Sequence, residues 1–239
     1  MTVVLCYLNN ICSIIVADNR ISYGKNQEWG YKDNNNKLID LRNMGWASGT
    51  GFADYLDEIQ SSLSKLKAKS TDDTKLVYRN VIEKCKKQQP LYSDDIDESV
   101  LIASWVGTSN PDFSDAYLRI GFLCNKYYRD EFQFLQKGYT IIFYPGDYDD
   151  TAKRKYIDDN FNFEPQQDMN FALKNMLSIF KVISSNSSQV SETCDIGMQI
   201  IKGNGIYKLR HGGHINQLIK EFDVDNVESK MRFVSMFEV

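Results

Sequence analysis

The sequence predicts an α+β fold in which helices cover two stacked, mostly antiparallel sheets. Short apolar runs of strand length occur at the start, in the middle and towards the end of the chain. Segments with helical spacing follow these runs in pairs and do not alternate with single strands. A parallel sheet with crossover helices would need that alternation, so it is not expected. With 239 residues, the chain is expected to form one domain, 1–239.

Each predicted element has its own signal. Strands are predicted from apolar runs, and helices from apolar residues at helical spacing, such as Met169, Leu173 and Met176. The predicted strands are 2–8, 11–18, 37–41, 44–49, 100–107, 115–124, 131–136, 138–144, 194–202, 205–209 and 230–237. The predicted helices are 52–66, 73–88, 149–160, 167–184 and 214–222. The acidic stretch 93–98 is predicted to be a solvated loop, and residues 203–204 a hairpin turn.

Composition excludes several classes of function. Hydrophobic residues make up 42% of the chain and charged residues 25%, the balance of an ordinary soluble protein. The net charge is −4 and no long run of lysine or arginine occurs, so nucleic acid is not expected as a partner. No apolar stretch reaches the roughly 18 residues that span a bilayer. The first residues also lack a basic region followed by an apolar one, so a cytoplasmic protein without membrane contact is expected.

The cysteines and histidines give little support to a metal or thiol site. Neither a CxxC pair nor a zinc-ligand spacing occurs, and the five scattered cysteines are predicted to be buried thiols: Cys6, Cys12, Cys85, Cys124 and Cys194. The only histidines, His211 and His214, flank two glycines. A glycine-rich turn before the last helix is favoured there over a metal site. No metal or other cofactor is expected.

The second residue is a candidate nucleophile. If Met1 is removed, Thr2 carries both a hydroxyl and a free α-amine, whose pKa of roughly 7.7–8.0 suits a general base near neutral pH. Such a site needs no histidine, which fits a chain with only two. The alternative is that Thr2 is only the second residue of an ordinary strand.

The residues that follow Thr2 resemble the start of proteasome β-subunits and of the related HslV-type peptidases, which are N-terminal-nucleophile hydrolases. In that family an acidic residue lies sixteen positions after the threonine and an arginine two positions later, as Asp18 and Arg20 do here. A lysine before an apolar pair follows, here Lys37. The segment 48–54, with sequence S-G-T-G-F-A-D, is similar to the family's S-G-S-x-A-D segment.

The resemblance implies a role for each of these residues. Thr2 would be the nucleophile, and Lys37, paired with Asp18, would lower the pKa of its hydroxyl and help to move its proton. The backbone N–H of Gly49, at a turn entering a helix, would stabilise the oxyanion. Arg20 would support the site. Taken singly, these residues also fit an exposed aspartate, a solvated lysine and a helix-capping Gly-Thr pair.

The resemblance covers essentially the whole chain and implies the family's four-layer αββα sandwich. It implies a threonine-type peptidase or amidase that acts on a peptide or amide substrate after removal of Met1. It also implies a homo-oligomer, of which a ring is one form, and the apolar helices 52–66 and 169–183 fit such assembly. Whether an unfoldase acts as a partner is left open.

The second half departs from the family's pattern. The family has a Gly-Ser-Gly turn after the eighth strand, whose serine supports the threonine amine. In this chain Gly146 remains, and Asp147 is a candidate substitute for the serine. These differences keep a second function open, namely a catalytically inactive structural or scaffold subunit with a proteasome-like fold.

A second departure lies in the polar loop 184–192. The family supplies an aspartate and a serine here, three residues apart. Ser187 stands at the place of the acid, and Ser191 or Glu192 is a candidate for the supporting role. A polar loop with no catalytic role explains the same residues equally well.

Overall fold

The structure is a computed structural model that describes residues 2–23, 30–33, 35–42, 45–66, 70–110, 114–129, 131–148, 151–161, 168–203, 205–224 and 226–235. Within these ranges the chain combines α-helices with sheets whose strand pairings are all antiparallel. The prediction of an α+β fold with antiparallel sheets is therefore confirmed. In the same ranges, every helix is too short or too polar to cross a bilayer.

Strands and helices follow one another in groups, as the sequence predicts. The strands are β1 Val4–Leu8, β2 Cys12–Asp18, β3 Ile21–Ser22, β4 Tyr31–Lys32, β5 Ile39–Asp40, β6 Trp46–Thr50, β7 Val100–Gly107, β8 Tyr117–Cys124, β9 Gln133–Phe134, β10 Tyr139–Phe143, β11 Thr193–Lys202, β12 Gly205–His214 and β13 Arg232–Ser235. The α-helices are α1 Ala53–Lys65, α2 Thr71–Gln88, α3 Ser93–Asp97, α4 Asn125–Tyr128, α5 Thr151–Asn160, α6 Met169–Asn186 and α7 Ile215–Val224. Short 3₁₀ helices occupy Pro90–Tyr92 and Val227–Lys230.

Two sheets contain most of these strands. The first has the order β10-β1-β2-β11-β12-β13, and the second has the order β5-β6-β7-β8-β9. Strands β3 and β4 form a separate pair. The hairpin of β1 and β2 lies in the interior of the first sheet, between β10 and β11.

Three groups of buried apolar side chains hold the sheets and helices together. One joins the first sheet to α6 and α7 and includes Leu5, Phe180 and Leu218. Another joins the second sheet to α1 and α2. The third contains residues of both sheets, among them Cys6 and Ile120. Both faces of the first sheet are therefore covered by apolar side chains.

Strand β1 shows how one sequence serves two of these groups. Side chains alternate between the two faces of a strand. Leu5 and Tyr7 pack in the group with α6, whereas Val4, Cys6 and Leu8 pack between the sheets. All five are buried. A strand that is buried on both faces is apolar along its whole length, which explains why β1 lacks alternating polar residues.

The helix α1 begins directly behind the second sheet. Gly51 has a φ of +129°, and a Cβ there would lie 2.4 Å from the Ser99 hydroxyl, so only glycine fits this turn. The Ser99 hydroxyl accepts a hydrogen bond of 3.0 Å from the Phe52 backbone N–H. Strand β6, which carries the 48–50 segment, is thereby joined to α1 by a rigid turn.

Several elements of the structure differ from the sequence prediction. Residues 93–97 form a helix and not a loop, because Ile96 is buried and Asp97 accepts hydrogen bonds from Lys86 and Asn125. Strands β3 and β4 and helix α4 were not predicted. Predicted bounds at 44, 149–150, 167, 204 and 236–237 lie outside the described residues.

A further difference concerns the two histidines. The predicted glycine-rich turn is wrong, because residues 211–214 continue β12 and pair with Thr193–Ile196 of β11. A Cβ on Gly212 would lie 2.3 Å from the Asp195 carboxylate, which is a reason for glycine within a strand. The prediction of buried thiols is confirmed, since all five cysteines are buried and free.

Candidate active site

The β1–β2 hairpin brings the start of the chain next to Asp18. Val4 pairs with Ala17, so the residues before Val4 lie alongside the end of β2. The Val3 N–H donates to Asp18 Oδ1 at 3.1 Å, and the Asp18 N–H donates to the Val3 carbonyl at 3.2 Å. Thr2 is therefore fixed one residue away from a buried carboxylate. The sixteen-residue spacing follows directly from this hairpin register.

Lys37 completes a buried cluster with Thr2 and Asp18. Its ammonium group donates to Thr2 Oγ1 at 2.7 Å and to Asp18 Oδ1 at 2.9 Å, and it also donates to the Arg20 carbonyl. The Lys37 side chain is 3% exposed and that of Asp18 is not exposed. Thr2 itself is 1% exposed. The structure thus brings together three of the four predicted catalytic residues.

Burial shifts the pKa values of Lys37 and Asp18 in the directions that favour their uncharged forms. Desolvation lowers the pKa of the Lys37 ammonium, against the opposing effect of Asp18. Desolvation also raises the pKa of the Asp18 carboxyl, against the effects of Lys37 and of the Arg20 N–H, which donates to Asp18 Oδ2 at 2.9 Å. A lysine with a lowered pKa exchanges a proton with a neighbouring hydroxyl more readily than a solvated one does.

Gly49 lies in a strand and not at the predicted turn. It belongs to β6 and pairs with Leu101 of β7, and α1 begins four residues later at Ala53. A Cβ at Gly49 would lie 2.9 Å from the Val100 carbonyl and 3.0 Å from Leu56, so the close packing of strand and helix excludes a side chain. The prediction of a helix-entry turn at Gly49 is therefore wrong. Its oxyanion role stays a prediction.

Thr50 is a neighbour of Thr2 that sequence reasoning did not single out. Its hydroxyl donates to the Thr2 carbonyl at 3.1 Å. This hydrogen bond ties the second sheet to the first residue of the site. Thr50 belongs to the S-G-T-G segment that resembles the family's, so the sequence indicates that this segment lies near the site. Only the stacking of the two sheets shows that Thr50 is the residue that contacts Thr2.

Arg20 supports the cluster from outside. Its guanidinium forms two hydrogen bonds with Asp33, of 2.7 and 2.9 Å, and one of 2.6 Å with the Ser188 carbonyl. It also lies 3.9 Å from the centre of the Tyr31 ring. The side chain thus holds the segment before Lys37 and the 187–189 turn together, while the Arg20 carbonyl accepts from Lys37. Asp33 was not among the residues singled out from the sequence.

No family model matches the sequence, and no curated protein matches it. The chain is similar to the solved structure of the Anbu (Gly-1) mutant from Hyphomicrobium sp. strain MC1, with a TM-score of 0.56 and 10% sequence identity. The similarity covers 93% of this chain and 95% of that chain. This likeness shows the fold alone. The chain therefore has a fold similar to that of this Anbu structure.

The supporting residues predicted in the second half bind one another. Asp147 accepts from the Ser187 hydroxyl at 2.5 Å and from the Ser188 N–H at 2.9 Å. The Gly146 N–H donates to the Gln189 side chain at 3.1 Å. These bonds close the 145–148 turn onto the 187–189 turn, and Arg20 reaches the same place through the Ser188 carbonyl.

Ser191 is bound at the end of β2. Its hydroxyl donates to the Thr193 carbonyl at 2.7 Å and accepts from the Asn19 N–H at 3.2 Å. Among the described residues, the Ser191 hydroxyl therefore forms no hydrogen bond with Thr2 or Lys37, but it contacts Asn19, the residue that follows Asp18. Glu192 does not share this position, because its carboxylate lies 3.0 Å from His214 Nε2.

The histidines pair with carboxylates and hold α7 against β12. His211 Nε2 lies 2.7 Å from Glu221 Oε2, and the ring stands edge-on to Phe222. His214 Nδ1 accepts from the Asn216 N–H at 3.3 Å, at the start of α7. Among the described residues, no group of three or more histidine, cysteine, aspartate or glutamate side chains could hold a metal ion.

Proposed function

We propose that this chain is an N-terminal threonine hydrolase of proteasome-like type, a peptidase or amidase that acts after removal of Met1. The observation that carries the proposal is the 2.7 Å hydrogen bond from the buried Lys37 ammonium to Thr2 Oγ1. Asp18, at 2.9 Å from the same ammonium, keeps it oriented. A structural role alone does not require a lysine to be directed at a threonine hydroxyl.

In the proposed reaction, Thr2 Oγ1 attacks the carbonyl carbon of a peptide or amide. The hydroxyl proton passes to the free α-amine and on to the leaving nitrogen, whose bond to carbon breaks. The product is an ester on Thr2, which a water molecule hydrolyses after giving its proton to the same amine. Lys37 favours the alkoxide electrostatically throughout, and the Gly49 N–H is proposed to stabilise the oxyanion.

The proposal extends to architecture and assembly. Three apolar groups, two between a sheet and helices and one between the sheets, support a four-layer αββα sandwich formed by one domain. The similarity to Anbu supports assembly into a homo-oligomer, of which a ring is one form. A cytoplasmic location is part of the proposal. An unfoldase partner would be consistent with a substrate that must be unfolded to reach a buried threonine.

The test combines the chemical state of the N-terminus with activity. Protein purified from its native source is analysed by intact mass, and it is then assayed against a panel of fluorogenic peptide amides. We expect Thr2 at the N-terminus, and a loss of about 10³-fold or more in the Thr2→Ala variant. Thr151→Ala, an exposed threonine on α5, is the control and should keep full activity. A mature Thr2 without hydrolysis of any substrate would contradict the proposal.

The second candidate is a catalytically inactive scaffold subunit of the same fold. The observation that favours it concerns Asp147 and Ser191. The Asp147 carboxylate binds Ser187 and Ser188, and the Ser191 hydroxyl binds backbone groups of Thr193 and Asn19. Among the described residues, neither side chain forms a hydrogen bond with Thr2. A retained Met1 in native protein, together with unchanged assembly of Thr2→Ala, is the result expected for a scaffold.

A further inference from the structure

A cavity with strongly basic walls lies beside the outer strands of the first sheet. Its volume is about 310 Å³, and its lining consists of one acidic and four basic residues: Asp40, Lys208, Arg210, Lys230 and Arg232. The lining therefore has a formal charge of +3, from four positive groups and one negative group, in a chain with a net charge of −4. A concave surface lined by one sign of charge concentrates the field and attracts counter-ions.

The fold explains why these residues meet. Lys208 and Arg210 are two positions apart on β12, so their side chains leave the same face of the sheet. Arg232 is the partner of Lys208 across the β12–β13 pairing. Lys230 ends the 3₁₀ helix that precedes β13, and Asp40 ends β5 of the other sheet. The cavity thus lies where the outer strands of the first sheet face β5.

Lys208 and Asp40 form the fixed part of the cavity. The Lys208 ammonium, whose side chain is not exposed, lies 2.5 Å from both Asp40 Oδ1 and the Arg42 carbonyl, and 2.9 Å from the Gly45 carbonyl. It also lies 4.2 Å from the centre of the Trp46 ring. The Lys208 ammonium group therefore donates to acceptors within the protein, and it holds Asp40, the single carboxylate of the cavity lining, in place.

The two arginines have donors left for a ligand. Arg232 uses one of its five N–H groups on Asp40 Oδ2 at 2.7 Å, and its side chain is 65% exposed. Within the described part of the chain, the exposed Arg210 guanidinium donates no hydrogen bond, and its field acts on the buried Asp195 of β11. The Arg210 and Arg232 guanidinium groups and the Lys230 ammonium group line one small cavity, in whose lining Asp40 is the single carboxylate.

We propose that this cavity binds a small polyanion through a phosphoryl group, of the kind carried by a phosphate monoester. Guanidinium groups bind phosphate oxygens through pairs of parallel N–H donors, and the lysine supplies a further point charge. The volume is at the lower end of the range for small-molecule sites, so it fits a compact ligand rather than a nucleic-acid strand. Asp40 does not oppose this binding, because its charge is balanced by Lys208.

The site is separate from the Thr2 cluster. Along β11, Cys194 pairs with Asp18, whereas Gln199 pairs with Lys208. A separation of five positions along a strand corresponds to about 17 Å. None of the five lining residues belongs to the Thr2 cluster, so the proposal does not depend on hydrolase activity. It is tested by binding and not by turnover.

The test measures ligand-dependent stability of the full-length chain. Melting temperature is recorded with inorganic phosphate or pyrophosphate, and with chloride at matched ionic strength, and the dissociation constant is then measured by calorimetry. We expect phosphate and pyrophosphate to raise the melting temperature and chloride to leave it unchanged. Arg210→Gln should weaken the binding by about tenfold or more, because a charge-assisted hydrogen bond is lost. Lys230→Gln should weaken it too.

The control is Lys220→Gln, which removes one positive charge from an exposed position on α7 outside the cavity. This variant should bind phosphate as the parent protein does. Because Arg210 is exposed, the Arg210→Gln variant should melt in chloride at the parent temperature, which separates loss of binding from loss of folding. Equal stabilisation by chloride, undiminished binding in Arg210→Gln, or equal weakening in Lys220→Gln would each overturn the proposal.

Discussion

Lys37 and Asp18 are charged side chains in an environment that is closed to water. Taking an ion out of water costs several kcal/mol, so such a pair persists only where hydrogen bonds replace the lost hydration. Lys37 has three oxygen acceptors, and Asp18 accepts from two backbone N–H groups as well as from the ammonium. The cluster is therefore sensitive to the loss of either charge.

Replacing the lysine alone should be more harmful than replacing both charges. We expect Lys37→Met to lower the free energy of unfolding by about 3–5 kcal/mol, because Asp18 then remains buried without a counter-charge. Adding Asp18→Asn to this variant should restore part of the loss. The measurement is urea unfolding of the parent, the two single variants and the double variant. Strictly additive losses would show that the two charges do not depend on each other.

The Arg20–Asp33 pair should contribute to stability in a pH-dependent way. Hydrogen bonding from Arg20 lowers the pKa of the Asp33 carboxyl in the folded protein. An acid whose folded pKa is depressed stabilises the fold above its unfolded pKa of about 3.9, and this contribution is lost as the pH falls through the folded pKa. We therefore expect Asp33→Asn to be less stable than the parent at pH 7 and nearly equal at pH 2. Because the pair is partly exposed, the difference should be small.

The experiment is chemical denaturation of both proteins across this pH range, with the salt concentration held constant. Raising the salt at pH 7 should reduce the difference, since exposed charges are screened. A difference that does not change with pH would mean that Asp33 acts through packing alone.

The residues of the Thr2 cluster were predicted from the resemblance to proteasome β-subunits, and local geometry explains only the contact between Thr2 and Asp18. A tight hairpin turn at residues 10–11, closed by the hydrogen bond from the Asn9 N–H to the Cys12 carbonyl, determines the register of β1 and β2 and brings Thr2 next to Asp18. The Thr50 and Asp33 contacts could not be predicted in this way. They depend on how the second sheet stacks on the first and on how the segment before Lys37 closes, which are set by packing between distant parts of the chain.

Elements with a strong apolar pattern were predicted with the correct type of secondary structure, whereas short or polar elements were missed. The helix α6 has nine buried residues at helical spacing, and its predicted span differs from the structure by two residues at each end. The helix α3 has one buried residue, Ile96, so its pattern does not differ from that of a loop. Strands β3 and β4 have two residues each, of which only Ile21 is buried, so they carry almost no periodicity.

Packing between elements predicts a specific effect of one glycine. Gly197 of β11 faces the space between the sheets, where a Cβ would lie 2.7 Å from Trp46 and 3.0 Å from Leu38. Gly197→Ala should therefore lower the free energy of unfolding by about 1–3 kcal/mol, because the buried Trp46 cannot move aside. Gly213→Ala is the matched control, since its Cβ would meet Leu218 at an ordinary 3.7 Å.

Thermal and urea unfolding of the two variants test this prediction directly. Since Leu38 is next to Lys37, the Gly197→Ala variant should also lose activity if the proposed hydrolase function is correct. Equal stability of the two alanine variants would mean that the sheets can separate enough to admit a methyl group without cost.

For the whole molecule, the apolar helix stripes that were predicted to serve assembly are used largely within the chain. The buried residues of α1, namely Tyr55, Leu56, Ile59 and Leu63, pack against the second sheet. The buried residues of α6 pack in the same way against the first sheet, whereas Phe171 of this helix is half-exposed. Contacts between copies of the chain must then involve other surfaces.

The 3₁₀ helix between α2 and α3 is such a surface. Leu91 is 94% exposed and lies next to Tyr92. The Tyr92 ring centre lies 5.3 Å from that of Phe52, just before α1, with the two rings tilted by 31°. A leucine that is almost fully exposed beside aromatic rings gains from burial in an interface, by about 1.5–3 kcal/mol for the side chain. If the protein assembles as proposed, we expect this surface to be covered in the assembly.

Light scattering after size-exclusion chromatography at micromolar concentration tests this expectation. The parent protein and Thr2→Ala should give the same oligomer, because Thr2 is buried within the chain. Leu91→Asp should shift the equilibrium towards the monomer without changing the circular dichroism spectrum. Ile11→Asp, at a half-exposed position in the β1–β2 turn, is the control and should assemble as the parent does. A parent protein that is monomeric at this concentration would remove the assembly proposal and leave the chemistry of Thr2 to be judged by its own test.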